Sequence, residues 1–197
     1  MNDVTHLGIY DIPMMSNIPN LVYLAPTTYE EYIAMLDWST EQREHPVAIR
    51  VPGAVIHGEK PTKDYGILNK YETVQKGSGV AIIALGTFFS MGKQAAELIE
   101  KKTGVKPTLI NPVYITGIDE ELLESLKKDH KAVITLEDGI LDGGFGEKIA
   151  RFYGDSDMRT VNFGLKKEFL DRYDVDEVLK DNHLTAEQIA EDVEKVL

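Results

Sequence analysis

Short apolar runs alternate along this chain with longer amphipathic stretches, and that alternation limits the possible folds more than any other feature. Residues 20–25, 46–51, 80–85, 108–111, 132–136 and 158–163 have the length and bulk of buried strands. Helical patterns lie between them, over 29–42 and 90–102, after Asp119, after Gly146 and after Thr185. A strand that returns through a helix pairs parallel to its predecessor, and the crossovers cover both faces of the sheet. The expected fold class is α/β, with three layers around a mostly parallel sheet.

Local signals sharpen the elements. Thr27 and Thr28 each stand three residues before a glutamate, the spacing that opens a helix. Tyr29, Tyr32, Ile33 and Leu36 then recur at helical spacing and predict the buried face of that helix. Gly104 marks a helix end, Asp119 a helix start, and Thr185 with Gln188 the start of the last helix. Lys76-Gly77-Ser78-Gly79 between residues 71–75 and 80–85 predicts an edge hairpin. Proline and glycine crowd residues 52–70, so a domain boundary is expected there, dividing the chain into 1–60 and 61–197. Met1 runs almost directly into a dense loop-like stretch, which reads as a cut inside a domain.

Composition narrows the partners. The formal charge is −12, and the last thirty residues carry ten Asp and Glu against three Lys and Arg, which argues against nucleic acid. There is no cysteine, hence no disulfide framework and no thiolate metal site. The apolar runs are far shorter than a membrane span and no signal peptide pattern opens the chain, so no membrane partner is expected and the cytoplasm is the expected compartment. His45, His57, His130 and His183 have no companions at metal-ligand spacing and read as surface residues, and the acidic segment 171–177 as a solvated face.

Several motifs then fall in order. Thr5-His6-Leu7-Gly8-Ile9-Tyr10-Asp11, Ile18-Pro19-Asn20, Ala25-Pro26 and Ala48-Ile49-Arg50-Val51-Pro52 are followed by Lys76-Gly77-Ser78-Gly79, Leu136-Glu137, Gly143-Gly144-Phe145-Gly146 and Gly164-Leu165. This set resembles thiamine-diphosphate enzymes of the transketolase superfamily, and within it the 1-deoxy-D-xylulose-5-phosphate synthases. The early motifs resemble the second half of their pyrimidine-binding domain, and the later ones their transketolase C-terminal domain. The resemblance implies a reaction that condenses pyruvate with D-glyceraldehyde 3-phosphate and releases CO2, feeding isoprenoid and thiamine synthesis. It also implies small-molecule substrates, and either a homodimer or pairing with an N-terminal catalytic portion. Competing readings are a transketolase proper, a 2-oxoacid dehydrogenase beta subunit, or a non-catalytic dimerisation module.

The resemblance assigns roles to two residues. His6 is the expected catalytic and substrate-binding imidazole, suited to moving protons at oxygen near neutral pH. Arg50, at a strand end, is the expected grip on the triose phosphate. Asn2 and Asp3 stand where the family has Asp and Gly, and Gly53 stands where it has a second Arg, so neither role passes to those positions. The glycines 143–146 could cradle an anion, although a tight packing turn is the preferred reading. The family's diphosphate and magnesium motif and its upstream glutamate have no counterpart here. Thiamine diphosphate and magnesium are therefore expected to be held mainly by a missing N-terminal portion, leaving this chain inactive alone.

Overall fold

A computed structural model describes residues 6–51 and 53–197. Met1, Asn2, Asp3, Thr5 and Pro52 lie outside the described residues. Among the described residues seven strands form two sheets. β1 (Val22–Leu24) and β2 (Val47–Ile49) pair in parallel as a two-stranded sheet. The larger sheet has the order β3-β5-β4-β6-β7, formed by Glu72–Gln75, Thr108–Asn111, Gly79–Ala84, His130–Ile140 and Arg159–Leu165. Only β3, at the edge, runs antiparallel.

The central strand shows why the layers form. Val80, Ile82 and Ala84 of β4 face one core with Ala95, Ala96 and Ile99 of α3 (Phe89–Thr103) and Ile189, Ala190 and Val193 of α7 (Ala186–Glu194). Ala81, Ile83 and Leu85 face the other, with Leu123 and Leu126 of α4 (Glu120–Leu126) and Phe145, Ile149 and Tyr153 of α5 (Phe145–Tyr153). Every one of these β4 side chains is inaccessible to solvent. A strand buried on both faces needs an unbroken apolar run, which residues 80–85 supply. The three-layer α/β expectation holds. The expected caps hold too: Thr28, Asp119 and Thr185 each accept a backbone N–H of the first helical turn, and Gly104 ends α3 at φ 73°.

Three expectations are corrected. Strands β3 and β4 do not form a hairpin, because β5 lies between them. The glycine turn instead crosses the start of β5, where Gly77 N–H donates to Thr108 Oγ1 at 3.0 Å and Ser78 N–H to the Lys106 carbonyl at 2.9 Å. A side chain at Gly77 would run into the Lys106 carbonyl oxygen. Second, α2 (Tyr29–Glu41) buries Glu31 and Met35, with Ala34 and Trp38 partly covered, while Tyr29 and Leu36 are exposed. The periodicity was real but the buried stripe lies on the neighbouring face, because the Glu31 carboxylate is drawn inward. It accepts from Thr27 N–H at 2.7 Å, Thr27 Oγ1 at 2.9 Å and Asn111 Nδ2 at 3.1 Å. Third, His130 is buried at the start of β6 and bonds Thr108 Oγ1 at 2.8 Å and the Leu126 carbonyl at 3.1 Å.

Two elements were not foreseen. α1 (Asp11–Met15) is a single short helix with Ile12 buried, and α6 (Val175–Asp181), which begins in the acidic segment and runs beyond it, is a capped helix with no buried residue.

The crossing at Gly77 makes a test of the corrected topology. Gly77→Ala should lower the unfolding free energy by about 2 kcal/mol or more, because backbone of two strands must move. Gly104→Ala, which meets no neighbour, should cost about 1 kcal/mol from its positive φ alone. Urea unfolding of both variants checks the difference, which a hairpin between β3 and β4 would not produce.

Candidate functional site

Parallel strands place the residues that follow them at one end of the sheet, which is where open α/β folds leave room for ligands. Here both sheets contribute. Ala25 and Pro26 follow β1, Arg50 follows β2, and Gly86 and Thr87 follow β4. Asp138 lies in β6 where its pairing with β7 slips between Leu136 and Ile140. Beyond that slip Ile140 N–H donates to the Ile9 carbonyl at 3.0 Å, which fixes the N-terminal segment beside the strand end. The result is a cleft of about 520 Å³ lined by His6, Asp11, Tyr23, Arg50, Thr87 and Asp138, among others.

Arg50 is the centre of its polar network. Its Nε donates to Asp11 Oδ2 at 2.7 Å and its Nη2 to Asp11 Oδ1 at 3.1 Å, a two-point fork. Nη2 also donates to the Gly8 carbonyl at 2.8 Å, and Nη1 pairs with Asp138. Thr87 Oγ1 donates to Asp138 Oδ2 at 3.1 Å, and the Tyr23 hydroxyl donates to Asp11. Burial by itself would raise the Asp11 carboxyl, but the hydrogen bonds and charge of Arg50, with the Tyr23 hydroxyl, outweigh it and hold it below the usual carboxylate range. Burial would likewise lower the Arg50 guanidinium, and the charges of Asp138 and Asp11 outweigh it, so its pKa is raised. Burial and the Asp11 charge together push the Tyr23 phenol up.

The structure thus brings His6 and Arg50 to one cleft, with His6 exposed on its rim. It does not present Arg50 as an open fork for a phosphate. Both edges of the guanidinium are already engaged, and two carboxylates balance its single charge. Asp138, Thr87 and Tyr23 were not singled out from sequence. Asp138 directly follows the Leu136-Glu137 motif, but nothing in its spacing announces that it meets Arg50, which is far away in the chain.

The glycines 143–146 do cradle an anion, and it is internal. Glu137, wholly buried, accepts Phe145 N–H at 2.7 Å and Gly146 N–H at 2.8 Å at the N-terminus of α5. A Cβ on Gly144 would stand 2.6 Å from the same carboxylate. Burial pushes the Glu137 carboxyl up to about 7, against the pull of the two N–H groups. The packing-turn reading and the cradle reading therefore describe one feature.

A cleft built on strand ends of a three-layer sheet is the ligand-binding arrangement of open α/β folds. The chain belongs to the transketolase C-terminal domain family, whose description "Transketolase, C-terminal domain" matches residues 69–189. It is 34% identical over 196 residues to a protein named 1-deoxy-D-xylulose-5-phosphate synthase from Clostridium tetani, covering 98% of this chain and 31% of that protein. A protein of the same name from Clostridium perfringens (strain SM101 / Type A) is 34% identical over 191 residues, covering 94% of this chain and 30% of that protein. The chain thus spans about a third of the length of these curated relatives. Among solved structures it resembles a split-gene transketolase described as an inactive beta4 tetramer, with TM-score 0.85 at 24% identity, covering 98% of this chain and 63% of that one. A transketolase variant from Pichia stipitis matches with TM-score 0.73 at 18% identity, over 98% of this chain and 28% of that one.

Arg50→Met would leave two carboxylates without their cation and should cost about 2–3 kcal/mol at pH 7. Because the folded-state pKa of Asp11 is depressed, its contribution is present above the unfolded value of 3.8 and is lost as pH falls through the folded one. The penalty of Arg50→Met should therefore shrink as pH falls below 3.8 and Asp11 protonates. Guanidinium unfolding from pH 2.5 to 7 reads both trends, and a penalty independent of pH would show that the network carries no ionic stabilisation.

Proposed function

We propose that this chain is the C-terminal part of an enzyme of the 1-deoxy-D-xylulose-5-phosphate synthase type, which condenses pyruvate with D-glyceraldehyde 3-phosphate and releases CO2. The observation that carries this reading is the identity of 34% to synthases across 98% of the chain, in which the motif from His6 to Asp11 forms a cleft wall together with Arg50. We assign residues 1–60 to the second half of a pyrimidine-binding domain and 61–197 to the transketolase C-terminal domain. We further propose that the chain is inactive alone and requires an N-terminal portion, in a homodimer or a paired assembly in the cytoplasm; the split-gene transketolase of the same fold is itself described as inactive.

Thiamine diphosphate would supply the carbanion chemistry of such an enzyme. Among the described residues no group of three His, Cys, Asp or Glu side chains could hold its magnesium. Because the family's diphosphate and magnesium motif has no counterpart in this sequence, we assign that task to the N-terminal portion. This chain's share is the substrate side of the cleft. His6, on the rim, hydrogen-bonds and exchanges protons with substrate oxygens. Arg50 acts as a positioning residue: locked by Asp11 and Asp138, it holds the strand ends and the segment around Gly8 in place, rather than gripping the triose phosphate with a free fork.

The isolated chain should neither consume pyruvate nor bind thiamine diphosphate with magnesium-dependent, submicromolar affinity by calorimetry. Combined with its N-terminal portion it should form the synthase product, and persistent absence of that product would overturn the proposed reaction. In the complete enzyme His6→Gln should lower kcat about 100-fold or more without moving the unfolding midpoint. Arg50→Ala should reduce kcat/KM for glyceraldehyde 3-phosphate and for unphosphorylated glyceraldehyde alike. A loss of about 10- to 150-fold confined to the phosphorylated aldehyde would instead give Arg50 the phosphate.

A further inference from the structure

A second cleft, of about 380 Å³, lies away from the strand-end site, between α1, the loop at Gly117 and Ile118, and the first turns of α5. Lys148 and Arg151 line it from successive turns of α5, on one face by their i, i+3 spacing. The Arg151 side chain has no hydrogen bond or ion pair among the described residues. Lys148 spends one N–H on the Ile115 carbonyl at 2.7 Å, which leaves two of its three donors open. The Ser16 side chain, which also lines the cleft, has a buried hydroxyl with no partner among the described residues. A buried hydroxyl without a partner costs free energy, and two cations side by side repel, so each needs something that the chain does not provide.

Other parts of the cleft restrict what could bind. The backbone N–H groups at its floor are committed: Gly143 to Glu147 Oε2 at 2.9 Å, Gly144 to the Leu141 carbonyl at 2.9 Å, and Phe145 and Gly146 to Glu137. The Glu147 carboxylate also lines the cleft, turned onto Gly143. What remains open is a cation pair and a hydroxyl donor, in a chain whose net charge is −12. Burial lowers the Lys148 ammonium to about 8; the Glu137 carboxylate opposes this, and the Arg151 charge adds to it to a smaller degree.

We propose that this cleft is a binding site for a phosphate group, either free or as the monoester of a small metabolite, held by Lys148, Arg151 and the Ser16 hydroxyl. Arg151 supplies the planar fork, Lys148 the point charge and Ser16 one short O–H donor, the combination that a tetrahedral dianion satisfies. The site does not depend on the proposed synthase activity.

Calorimetric titration of the 197-residue chain with sodium phosphate, with glycerol 1-phosphate and with glycerol, in chloride at matched ionic strength, tests it. Phosphate or the ester should bind at about millimolar affinity or tighter and glycerol should not; the tighter of the two identifies the source. Arg151→Gln, which removes an exposed and unbonded side chain, should weaken binding about 10-fold or more with no change in unfolding midpoint. Ser16→Ala should weaken it about 5-fold. His6→Gln, in the other cleft, should bind unchanged. Absence of binding, equal affinity in Arg151→Gln, or loss in His6→Gln alone would overturn the proposal.

Discussion

The guanidinium of Arg50 holds together parts of the molecule that have no continuous backbone pairing around the cleft. It reaches Asp11 at the start of α1, the Gly8 carbonyl in the N-terminal segment and Asp138 at the end of β6, while its own backbone extends β2. Removing any partner would leave a partly buried charge in a wall of the cleft. Two carboxylates and one guanidinium leave that corner with a net negative balance, which Tyr23 and Thr87 soften by donating hydroxyl hydrogens. The shape of the cleft is thus set by ionic bonds that join distant segments, and its floor by the apolar sheet beneath.

Glu137 performs a comparable task one residue earlier. Because side chains alternate along a strand, Asp138 faces the cleft while Glu137 turns to the opposite side and caps α5. The glycines 143–146 bring the helix start close enough for two N–H groups to meet the carboxylate, and a Cβ on Gly146 would collide with Thr135. A glycine-rich turn before a helix is ordinarily read as a receptor for a ligand's anion. In this fold the anion is a side chain of the preceding strand, and the turn locks strand to helix. Glu31 repeats the pattern in the smaller sheet, where a buried carboxylate satisfied by Thr27 and Asn111 ties α2 to the end of β5.

These buried carboxylates explain where sequence reasoning misplaced a face. Hydrophobic periodicity assumes that charged residues face water, and on α2 that assumption selects Tyr29, Tyr32, Ile33 and Leu36. Thr27 beside the helix start can satisfy only part of Glu31, and the partner that completes its burial, Asn111, comes from β5, which is invisible along the helix itself. His130 was misread for a related reason, since its Thr108 partner is brought to it from another strand. The hairpin failed differently. Lys76-Gly77-Ser78-Gly79 has the composition of a two-strand turn, yet the same glycines serve a crossing over β5, and local chemistry cannot tell which strand fills the gap.

What the sequence determined by itself is whatever depends on near neighbours. The alternation of apolar runs and helical stretches required a largely parallel sheet with two covered faces, and the caps at Thr28, Asp119 and Thr185 and the stop at Gly104 follow from side-chain and backbone preferences within four residues. The ordered motifs also pointed to His6 and Arg50, which do share a cleft. Tertiary structure alone decided the strand order, the inward turn of Glu31 and Glu137, and the engagement of Arg50 by Asp11 and Asp138. The strand order, the Glu31–Asn111 bond and the Arg50 network join residues tens of positions apart, and the Glu137 contacts need the turn after β6 to fold back; their energies appear only when burial brings the groups together and removes the water that would otherwise satisfy them.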